Sequence, residues 1–402
     1  MALAALIAAY EPAEDGETLR ATAPLAGATV VEHQARRAVR AGARHLILLV
    51  ERLPAGLALA LDRLRRDGIA IEFAPTIADA ADRVHPDERL LLIADGCMAD
   101  QAALDRVAAA QVPALLTVAD GSGRDAYERI DGRVRWGGVA LLDGTRLRDT
   151  AAMLGEWDPL STLLRRAVQE GAARVAAQEE GAEGLPIFAH GSAGVGAIEK
   201  RLLSGTRGLA RDWPGRFLFP WIEDPALGPI FRRLLDPFWL AAAAALLALI
   251  AVPVAVHSGG LALTLLLLSG PVASIAGRLA LIRAAAVRHG ERLEQLRRIA
   301  AALALMASTS AVAAAGGWGW WLVTAAILAG MAALTVERRI AARLTEWPGS
   351  PWFASTDGLI WAFLPFALLG QWGMGLAALA FYALASFAYV QWRLARHVRL
   401  AG

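Results

Sequence analysis

The sequence predicts two structural classes in one chain: an α/β unit with an open, mostly parallel sheet, followed by an all-α bundle of six transmembrane helices. Three observations support this prediction. The 402 residues are 56% apolar, and their mean hydropathy of +0.43 is high for a soluble chain. Short apolar runs alternate with amphipathic stretches up to about residue 142. Beyond residue 238, long apolar segments follow one another.

Charge and cysteine content narrow the class of protein. The net charge is only +2, so the overall charge indicates no acidic partner. The single cysteine, Cys97, excludes a disulfide framework and a zinc cluster built from thiolates. The N-terminal MALAALIAAY has no basic region and runs directly into Glu11 and Pro12. We therefore expect a first buried strand there, not a signal peptide, and a cytoplasmic first half.

The first domain is predicted over residues 1–196. Strands are expected at Ala2–Ala9, His45–Val50, Ile69–Phe73, Leu90–Ala94 and Ala114–Val118. Apolar residues recur every three or four positions in the expected helices Val30–Ala41, Ala55–Arg66, Ile77–Arg83 and Gln101–Ala110. Such alternation predicts a largely parallel sheet with helices on both faces. Tyr127–Trp136 and Gly137–Asp143 are expected to form a hairpin on one edge of this sheet.

The stretch AAYEPAEDGETLRATAPLAGATVVEHQARRAVRAGARHLILLV follows the order of parts in a known family. It resembles sugar-nucleotide-type nucleotidyltransferases, in which a first strand leads into a glycine-rich loop with an arginine and then a lysine-proline-leucine stretch. On this resemblance, Arg20 is the candidate nucleotide-binding residue. Ala23 replaces the lysine, and Gly16 stands among four carboxylates. Because a phosphate cradle needs free N–H groups and positive charge, we expect no CTP-dependent cytidylyl transfer.

Two aspartates follow the fourth predicted strand. Asp95 stands where the resemblance implies a metal-binding aspartate, and Asp100 is a second candidate ligand for Mg²⁺. A carboxylate beyond the carboxyl end of a strand lies at the usual ligand crevice of an open sheet. The alternative is that Asp95 and Gly96 form a turn while Asp100 caps the next helix. We favour this alternative because the lysine and the glycine-rich loop are missing.

Residues 197–237 are expected to form an amphipathic linker that lies on the cytoplasmic leaflet. Arginines alternate there with aromatic residues: Arg207, Arg211, Arg216, Arg232 and Arg233 with Trp213, Phe217, Phe219 and Trp221. Aromatic rings favour the headgroup layer, and arginines attract anionic lipid. The segment resembles the bridge in two-domain inositol-1-phosphate cytidylyltransferase/inositol phosphate transferase proteins. A nucleic-acid patch is disfavoured because an apolar segment follows directly.

The membrane domain is predicted over residues 238–402. Its six apolar segments are Phe238–Val256, Leu261–Leu281, Ile299–Ala315, Trp318–Thr335, Gly358–Leu369 and Met374–Gln391. The first, third and fifth connections carry no arginine, whereas the others and the C-terminal tail are rich in it. The positive-inside rule then places both termini in the cytoplasm. We expect a multi-pass protein of the bacterial inner membrane.

The segment LALTLLLLSGPVASIAGRLALIRAAAVRHGERLEQLRRI, which begins at Leu261, carries a second resemblance. It resembles the signature of the CDP-alcohol phosphatidyltransferases, D-x-x-D-G-x-x-A-R, then eight residues, then G-x-x-x-D-x-x-x-D. The resemblance implies four carboxylates that hold two divalent metals beside a cytidine diphosphate. Gly270 and Ala273 match the signature. The four carboxylate positions fall on Leu266, Ser269, Val287 and Glu291. Glu291 is therefore the candidate catalytic residue of a metal site that has lost three ligands.

Arginines surround this part of the sequence. The candidate lipid- or phosphate-binding residues are Arg278, Arg283, Arg288 and Arg292. They suit an anionic headgroup, but we favour an ordinary cytoplasmic face that meets lipid. For Arg278 we favour snorkelling to the interface over a contact with lipid phosphate. Asp357 is interpreted as a helix cap in preference to a relay carboxylate.

Three functions are consistent with these patterns. The first, which we favour, is a catalytically degenerate relative that acts as a binding or scaffold protein in bacterial envelope phospholipid or sphingolipid headgroup metabolism. The second is an active transferase of an unusual phospho-headgroup, for which alone Mg²⁺ is expected. The third is a small lipid transporter that uses the Gly270-Pro271 bend, disfavoured because few buried charges are expected. Anionic membrane lipids, envelope-lipid enzymes and a second copy of the chain are the candidate partners, and nucleic acid is not.

Overall fold

The computed structural model describes residues 2–155, 157–178, 184–206, 212–232, 236–282, 288–344 and 350–401. The chain divides near residue 204 into two compact units. The first unit contains the β-sheet, and the second is helical. The predicted linker, residues 197–237, is therefore shared between the two units.

The elements of the first unit follow the predicted alternation. Its strands are β1 Leu3–Ala8, β2 Pro24–Leu25, β3 Ala28–Thr29, β4 His45–Leu49, β5 Ile71–Ala74, β6 Arg89–Ile93, β7 Cys97–Met98, β8 Ala114–Ala119, β9 Val134–Asp143, β10 Ala173–Ala176 and β11 Ile187–Phe188. Its helices are α1 Val30–Arg40, α2 Ala55–Arg66, α3 Ile77–Arg83, α4 Gln101–Ala109, α5 Gly144–Met153, α6 Pro159–Gln169 and α7 Gly191–Thr206, with a 3₁₀ turn at Arg20–Thr22. The predicted β1, β4, β5, β6 and β8 and the first four helices are confirmed to within two residues.

Seven strands form one sheet in the order β10-β8-β9-β6-β1-β4-β5. The pairs β1–β4, β1–β6, β4–β5 and β8–β10 are parallel, whereas β9 runs antiparallel to both of its neighbours. The prediction of an open, mostly parallel sheet is confirmed. All six residues of β1 are buried. Since successive side chains of a strand point to opposite faces, both faces of the sheet are covered at its centre.

The hairpin predicted from Tyr127–Trp136 and Gly137–Asp143 on an edge of the sheet is wrong, because the single strand β9 runs through the expected turn at residues 136–137. Strand β9 lies between β6 and β8, inside the sheet. Its pairing with β8 slips between Leu115 and Thr117, opposite Gly138, whose φ is +78°. Only the residues before β9 fold back, as the backbone N–H of Trp136 donates to the carbonyl of Glu128 at 2.7 Å. Alternation of apolar residues does not reveal whether a strand has one neighbour or two.

The helices of the second unit follow the apolar segments. They are α8 Phe219–Arg232, α9 Pro237–His257, α10 Gly259–Ile282, α11 Arg288–Gly316, α12 Gly319–Leu344, α13 Thr356–Leu368 and α14 Trp372–Ala401. Among the described residues, α9, α10, α11, α12 and α14 contain stretches long and apolar enough to cross a membrane. Helix α13 has 13 residues, fewer than the roughly 20 that a span needs. Of the six predicted spans, five thus have the length and composition that a span requires among the described residues, and the count of six is not confirmed.

Small residues set the packing of these helices. Helix α9 packs against α11, and both contribute fully buried alanines, including Ala248, Ala251, Ala300 and Ala304. Without large side chains between them, the two backbones can approach closely, which is how helices associate where lipid removes the hydrophobic driving force. The reversal after α11 uses Gly317, whose φ is +92°, a conformation that costs glycine little.

The predicted linker folds partly into the helical unit. In α8, Phe219 and Leu227 are fully buried, and Glu223 forms an ion pair with Arg278 of α10 at 2.6 Å. Trp221, in contrast, is 84% exposed, as expected of a ring at a membrane interface. Arg207, Arg211 and Arg233 lie outside the described residues. Placement of α8 on the cytoplasmic leaflet stays a prediction.

Candidate functional site

The first candidate region lies beyond the carboxyl ends of β1 and β6. Asp95 is 2% exposed, and its Oδ2 accepts a hydrogen bond from the backbone N–H of Glu11 at 2.7 Å. Its Oδ1 has no hydrogen-bond partner among the described residues. Burial raises the pKa of Asp95 to about 7. Burial therefore disfavours the charged form of Asp95, while the backbone N–H of Glu11 favours it.

Arg20 lies beside Asp95, but its charge is already compensated. Its guanidinium Nη1 lies 2.7 Å from Oε2 of Glu11 in the same loop. Its aliphatic portion covers Gly96, where a Cβ would lie 2.5 Å from Cδ of Arg20. The φ of +66° favours glycine at this position, and any other residue would also have to displace the side chain of Arg20. The role of Arg20 in nucleotide binding stays a prediction.

Asp100 has a structural role in this arrangement. Its Oδ1 accepts a hydrogen bond from the backbone N–H of Ala103 and so caps α4. Its other oxygen lies 3.9 Å from Nη2 of Arg201. The described residues contain no group of three or more His, Cys, Asp or Glu side chains arranged to hold a metal ion. The Mg²⁺ role of Asp95 and Asp100 therefore stays a prediction without structural support, and the capping interpretation of Asp100 is confirmed.

The second candidate region is a cavity of about 520 Å³ within the helical unit. Its volume falls in the range of small-ligand pockets. Most of its wall is apolar and includes Leu263, Leu266, Leu305, Ile327 and Phe363. Its charged lining residues are Asp212, Glu294, Arg297, Arg298, Arg338 and Asp357. The cavity thus combines an apolar body with a charged cluster, as a site for an amphiphilic molecule requires.

Arg297 of α11 is the centre of this charged cluster and is 2% exposed. Its Nη1 and Nη2 donate to the two carboxylate oxygens of Asp357 at 2.7 and 2.8 Å. Its Nε and Nη2 also donate to the two oxygens of Glu294 at 2.8 and 3.0 Å. One guanidinium therefore binds two carboxylates in the bidentate geometry that makes such pairs strong. Arg298 provides a second cation for Glu294 at 2.8 Å.

Two positions of the expected signature meet this network. A Cβ on Gly270 would lie 2.8 Å from Oδ1 of Asp357 and 2.9 Å from the ring of Phe219. Gly270 therefore provides the space in which Asp357 reaches Arg297. Ser269 is fully buried, and its Oγ accepts a weak hydrogen bond from Nη1 of Arg297 at 3.4 Å. The residues at these two positions thus border an arginine-centred network.

The carboxylate of Asp212 lies near the same network. Its Oδ2 accepts a hydrogen bond from Oγ of Ser355 at 2.9 Å. Burial, and secondarily the charge of Asp357, raises the pKa of Asp212. Ser355 also accepts from the backbone N–H of Gly358 and so caps α13. The interpretation of Asp357 as the cap is therefore wrong: the residue two positions earlier caps the helix, which leaves Asp357 for Arg297.

Arg338 of α12 differs from the other arginines of the cavity. It is half-buried, and its guanidinium carbon lies 5.4 Å from the ring centroid of Phe353. Within the part of the chain that the structure describes, it forms no ion pair, although Asp212 acts on it electrostatically at longer range. A guanidinium over an aromatic ring is stabilised modestly and keeps its donors for another partner.

The residues predicted from the signature are not those that line the cavity. Glu291 and Arg292 are exposed and do not border it. Arg283 lies outside the described residues, and so does the side chain of Arg288. Snorkelling of Arg278 is wrong, because this residue is 7% exposed and its Nη1 binds Glu223. A role for these residues with lipid or catalysis stays a prediction.

Sequence reasoning missed the charges that the structure brings together. Glu294 and Arg297 lie three positions apart on α11, and Asp357 and Asp212 come from distant parts of the chain. Arg297, Arg298 and Arg338 count in sequence only as positive charges of cytoplasmic loops. The expectation that buried charges are nearly absent is also wrong, because Arg297, Arg278 and Glu223 are all buried. Low buried charge is therefore no longer a reason to disfavour a transporter.

No protein-family model and no curated protein matches this chain. A nucleotidyl transferase from Methanothermobacter thermautotroptrophicus is 17% identical over 51% of this chain and 99% of its own, with a TM-score of 0.38. The inositol-1-phosphate CTP transferase from T. maritima is 13% identical over 52% of this chain and 97% of its own, with a TM-score of 0.41. A UTP-bound UGPase from Acinetobacter baumannii is 12% identical over 51% and 94%, with a TM-score of 0.39. The part that resembles these proteins is the N-terminal half. Membership of the helical half in the CDP-alcohol phosphatidyltransferases is not confirmed and stays a prediction.

Proposed function

We propose that this protein is a membrane protein that binds a lipid with an anionic headgroup in the cavity of its helical unit. It does not catalyse magnesium-dependent headgroup transfer. It acts as a binding or scaffold protein of bacterial envelope-lipid metabolism, as the resemblance of its two halves implies. Five helices with the length and composition of membrane spans support the location. The cavity with its apolar body and charged cluster supports the ligand class.

The observation that carries this proposal is the position of Arg297. Metal-assisted transfer needs carboxylates that are free to bind divalent ions. Here both oxygens of Asp357 and both oxygens of Glu294 lie within 3.0 Å of guanidinium nitrogens of Arg297. A buried arginine thus provides the positive charge that a metal would otherwise supply. The cavity can attract an anionic group without a metal.

The first unit supports the same conclusion for nucleotide chemistry. The guanidinium of Arg20 is bound to Glu11, and Asp95 is a buried carboxyl group with a raised pKa. The positive charge of Arg20 is thus already paired, and burial disfavours the negative charge of Asp95. We therefore assign to this unit a structural or partner-binding role and no cytidylyl transfer.

The proposal is tested with the purified full-length protein. Lipids extracted from it are identified by mass spectrometry, and release of CMP from CDP-diacylglycerol is measured with and without Mg²⁺ and candidate alcohols. We expect co-purified anionic lipid and no CMP release. The exposed Glu291→Ala variant is expected to behave like the wild type in both assays. CMP release that requires Mg²⁺ would overturn the proposal.

One observation favours a working transferase as the second candidate. Asp212, Glu294 and Asp357 all line the same cavity, so displacement of Arg297 by a substrate would free carboxylates for a metal. Under this alternative, CMP release is observed and Asp357→Asn abolishes it, whereas Glu291→Ala leaves it intact. The two candidates therefore differ in one measurement on the wild type.

A further inference from the structure

We infer that Arg338 binds the anionic group of the amphiphile, and that Arg297 is a positioning residue that neutralises the neighbouring carboxylates so that this binding needs no divalent cation. This inference rests on the proposed lipid-binding function. It names the ligand class as an amphiphile with one compact anionic group, such as a phosphate monoester.

The charges of the cluster single out Arg338. Arg297 is shared between Asp357 and Glu294, and Arg298 also binds Glu294. These four side chains therefore balance one another. Arg338 is the cavity cation that makes no ion pair within the described residues, and it borders an apolar space. An anion that reaches it gains a charge-assisted interaction in a medium of low dielectric constant.

The position of Arg338 along α12 is consistent with an amphiphile whose headgroup binds Arg338 while its alkyl chain lies in the membrane. Residues on one face of this helix line the cavity: Ile327, Leu328, Met331, Leu334, Thr335 and Arg338. Arg338 follows Ile327 by 11 positions, which corresponds to about 16 Å along the helix. Arg338 lies near the end of the membrane-length stretch Gly319–Ala341. An alkyl chain along this face would therefore have its polar group where the helix reaches the interface.

Arg297 determines whether the headgroup meets a repulsive or an attractive surface. Without its guanidinium, Asp357 would present an unpaired negative charge to the same cavity, and Glu294 would keep Arg298 alone as its cation. An anionic headgroup would then need a divalent cation between itself and the carboxylates. With Arg297 in place, the carboxylates are satisfied internally, and no metal is required. Arg297 acts through its neighbours and need not touch the ligand.

The test uses the full-length protein in phosphatidylcholine nanodiscs and native mass spectrometry or calorimetry. Lysophosphatidic acid is the probe, lysophosphatidylcholine is the neutral comparison, and inorganic phosphate tests the headgroup alone. All are measured in EDTA. We expect lysophosphatidic acid to bind the wild type in EDTA, and the two comparison compounds to bind at least about tenfold more weakly.

A matched pair of variants isolates Arg338. Arg338→Gln is expected to weaken the binding of lysophosphatidic acid about tenfold or more, because a charged hydrogen-bond donor is lost. Arg338→Lys should retain part of the affinity. Arg339→Gln changes the neighbouring exposed arginine of α12 and should stay within about twofold of the wild type. Thermal unfolding confirms that each variant is folded.

Arg297→Gln tests the positioning role. We expect its binding of lysophosphatidic acid to be weakened in EDTA and restored by added Mg²⁺ or Ca²⁺, a response that a purely structural defect would not give. If Arg297→Gln does not fold, the double variant Arg297→Gln/Asp357→Asn takes its place. Its binding of lysophosphatidic acid should depend less on divalent ions than expected for Arg297→Gln, because one of the two carboxylates is gone. Metal-independent binding by Arg297→Gln at wild-type affinity would refute the role of Arg297.

The outcomes separate failure of the inference from failure of the proposed function. If the wild type binds no lysophosphatidic acid under any condition, the lipid-binding function itself is wrong. If the wild type binds it but Arg338→Gln and Arg339→Gln bind equally well, the function stands and the assignment of Arg338 is wrong. Equal affinity for inorganic phosphate would show a site for free phosphate, which also overturns the inference.

Discussion

Replacement of Arg297 by glutamine is expected to lower the free energy of unfolding of the protein by about 3–5 kcal/mol, the range observed when one partner of a buried ion pair is removed. The structure indicates where this loss arises. Asp357 is mostly buried, and Arg297 provides its ion pair within the described residues. Glu294 keeps Arg298 as a second partner. Most of the cost should therefore come from leaving Asp357 charged and unpaired.

A double-mutant cycle measures this contribution. Arg297→Gln, Asp357→Asn and the combined variant are unfolded in detergent, by heat or by denaturant, and compared with the wild type. Because Asp357→Asn removes the charge that Arg297 neutralises, the combined variant should recover about 1–3 kcal/mol of the sum of the two single losses. Arg298→Gln is the matched control: its side chain is 55% exposed, so we expect a loss of at most about 1 kcal/mol.

Two results would refute this reasoning. The first is a combined variant whose loss equals the sum of the single losses, since the two side chains would then not interact. The second is an Arg298→Gln variant that is as unstable as Arg297→Gln, which would mean that burial and bidentate geometry do not distinguish the adjacent arginines.

Three further predictions test individual packing and charge assignments. Gly270→Ala should destabilise the protein by about 1–3 kcal/mol, because a carboxylate and a ring lie within 3.0 Å of the new Cβ. Gly277→Ala on the same helix places its Cβ where no atom lies within 4 Å and should be neutral or stabilising. Equal unfolding temperatures of the two variants would contradict this prediction. The pKa of Asp95 is raised from 3.8 to about 7, so the folded state retains a proton that the unfolded state has lost, and stability should fall as pH rises through that window. Asp95→Asn should therefore gain unfolding temperature relative to the wild type at pH 8 but not at pH 4, and a pH-independent difference would refute it. Arg278→Gln removes the 2.6 Å ion pair between Arg278 and the buried Glu223, so α8 should become more susceptible to limited proteolysis. A digestion pattern identical to that of the wild type would refute this prediction.

The periods of apolar residues in the sequence predict the strands and helices, but they do not predict which strands are neighbours in the sheet. Strands such as β1 and helices such as α2 were predicted almost at their observed bounds, because burial of apolar side chains imposes a period of two or of about 3.6. The position of β9 between two other strands could not be predicted, since backbone pairing leaves no mark on side-chain alternation. Five helices of sufficient length also follow from hydropathy, whereas the expected span Gly358–Leu369 corresponds to α13, which has 13 residues.

The spacing of residues along the sequence did not predict which side chains line the cavity. The signature comparison includes Gly270, which the structure places against Asp357 and Phe219, but its candidate catalytic residue, Glu291, is exposed. Glu294, three residues further along the same helix, lines the cavity instead. Three residues along a helix change the direction of a side chain by about 60° and its position along the axis by about 4.5 Å. Spacing alone could not decide between these two glutamates.

By itself, the sequence determined that this chain joins an α/β sheet to a set of apolar helices, because hydropathy and its period act within a few neighbouring residues. Only the tertiary structure decided which charges meet. Asp357 and Arg297 are 60 residues apart in sequence, yet they share two hydrogen bonds. Charged side chains attract one another through space irrespective of their order along the chain. A buried ion pair becomes visible only when the helices that carry its two members are packed together.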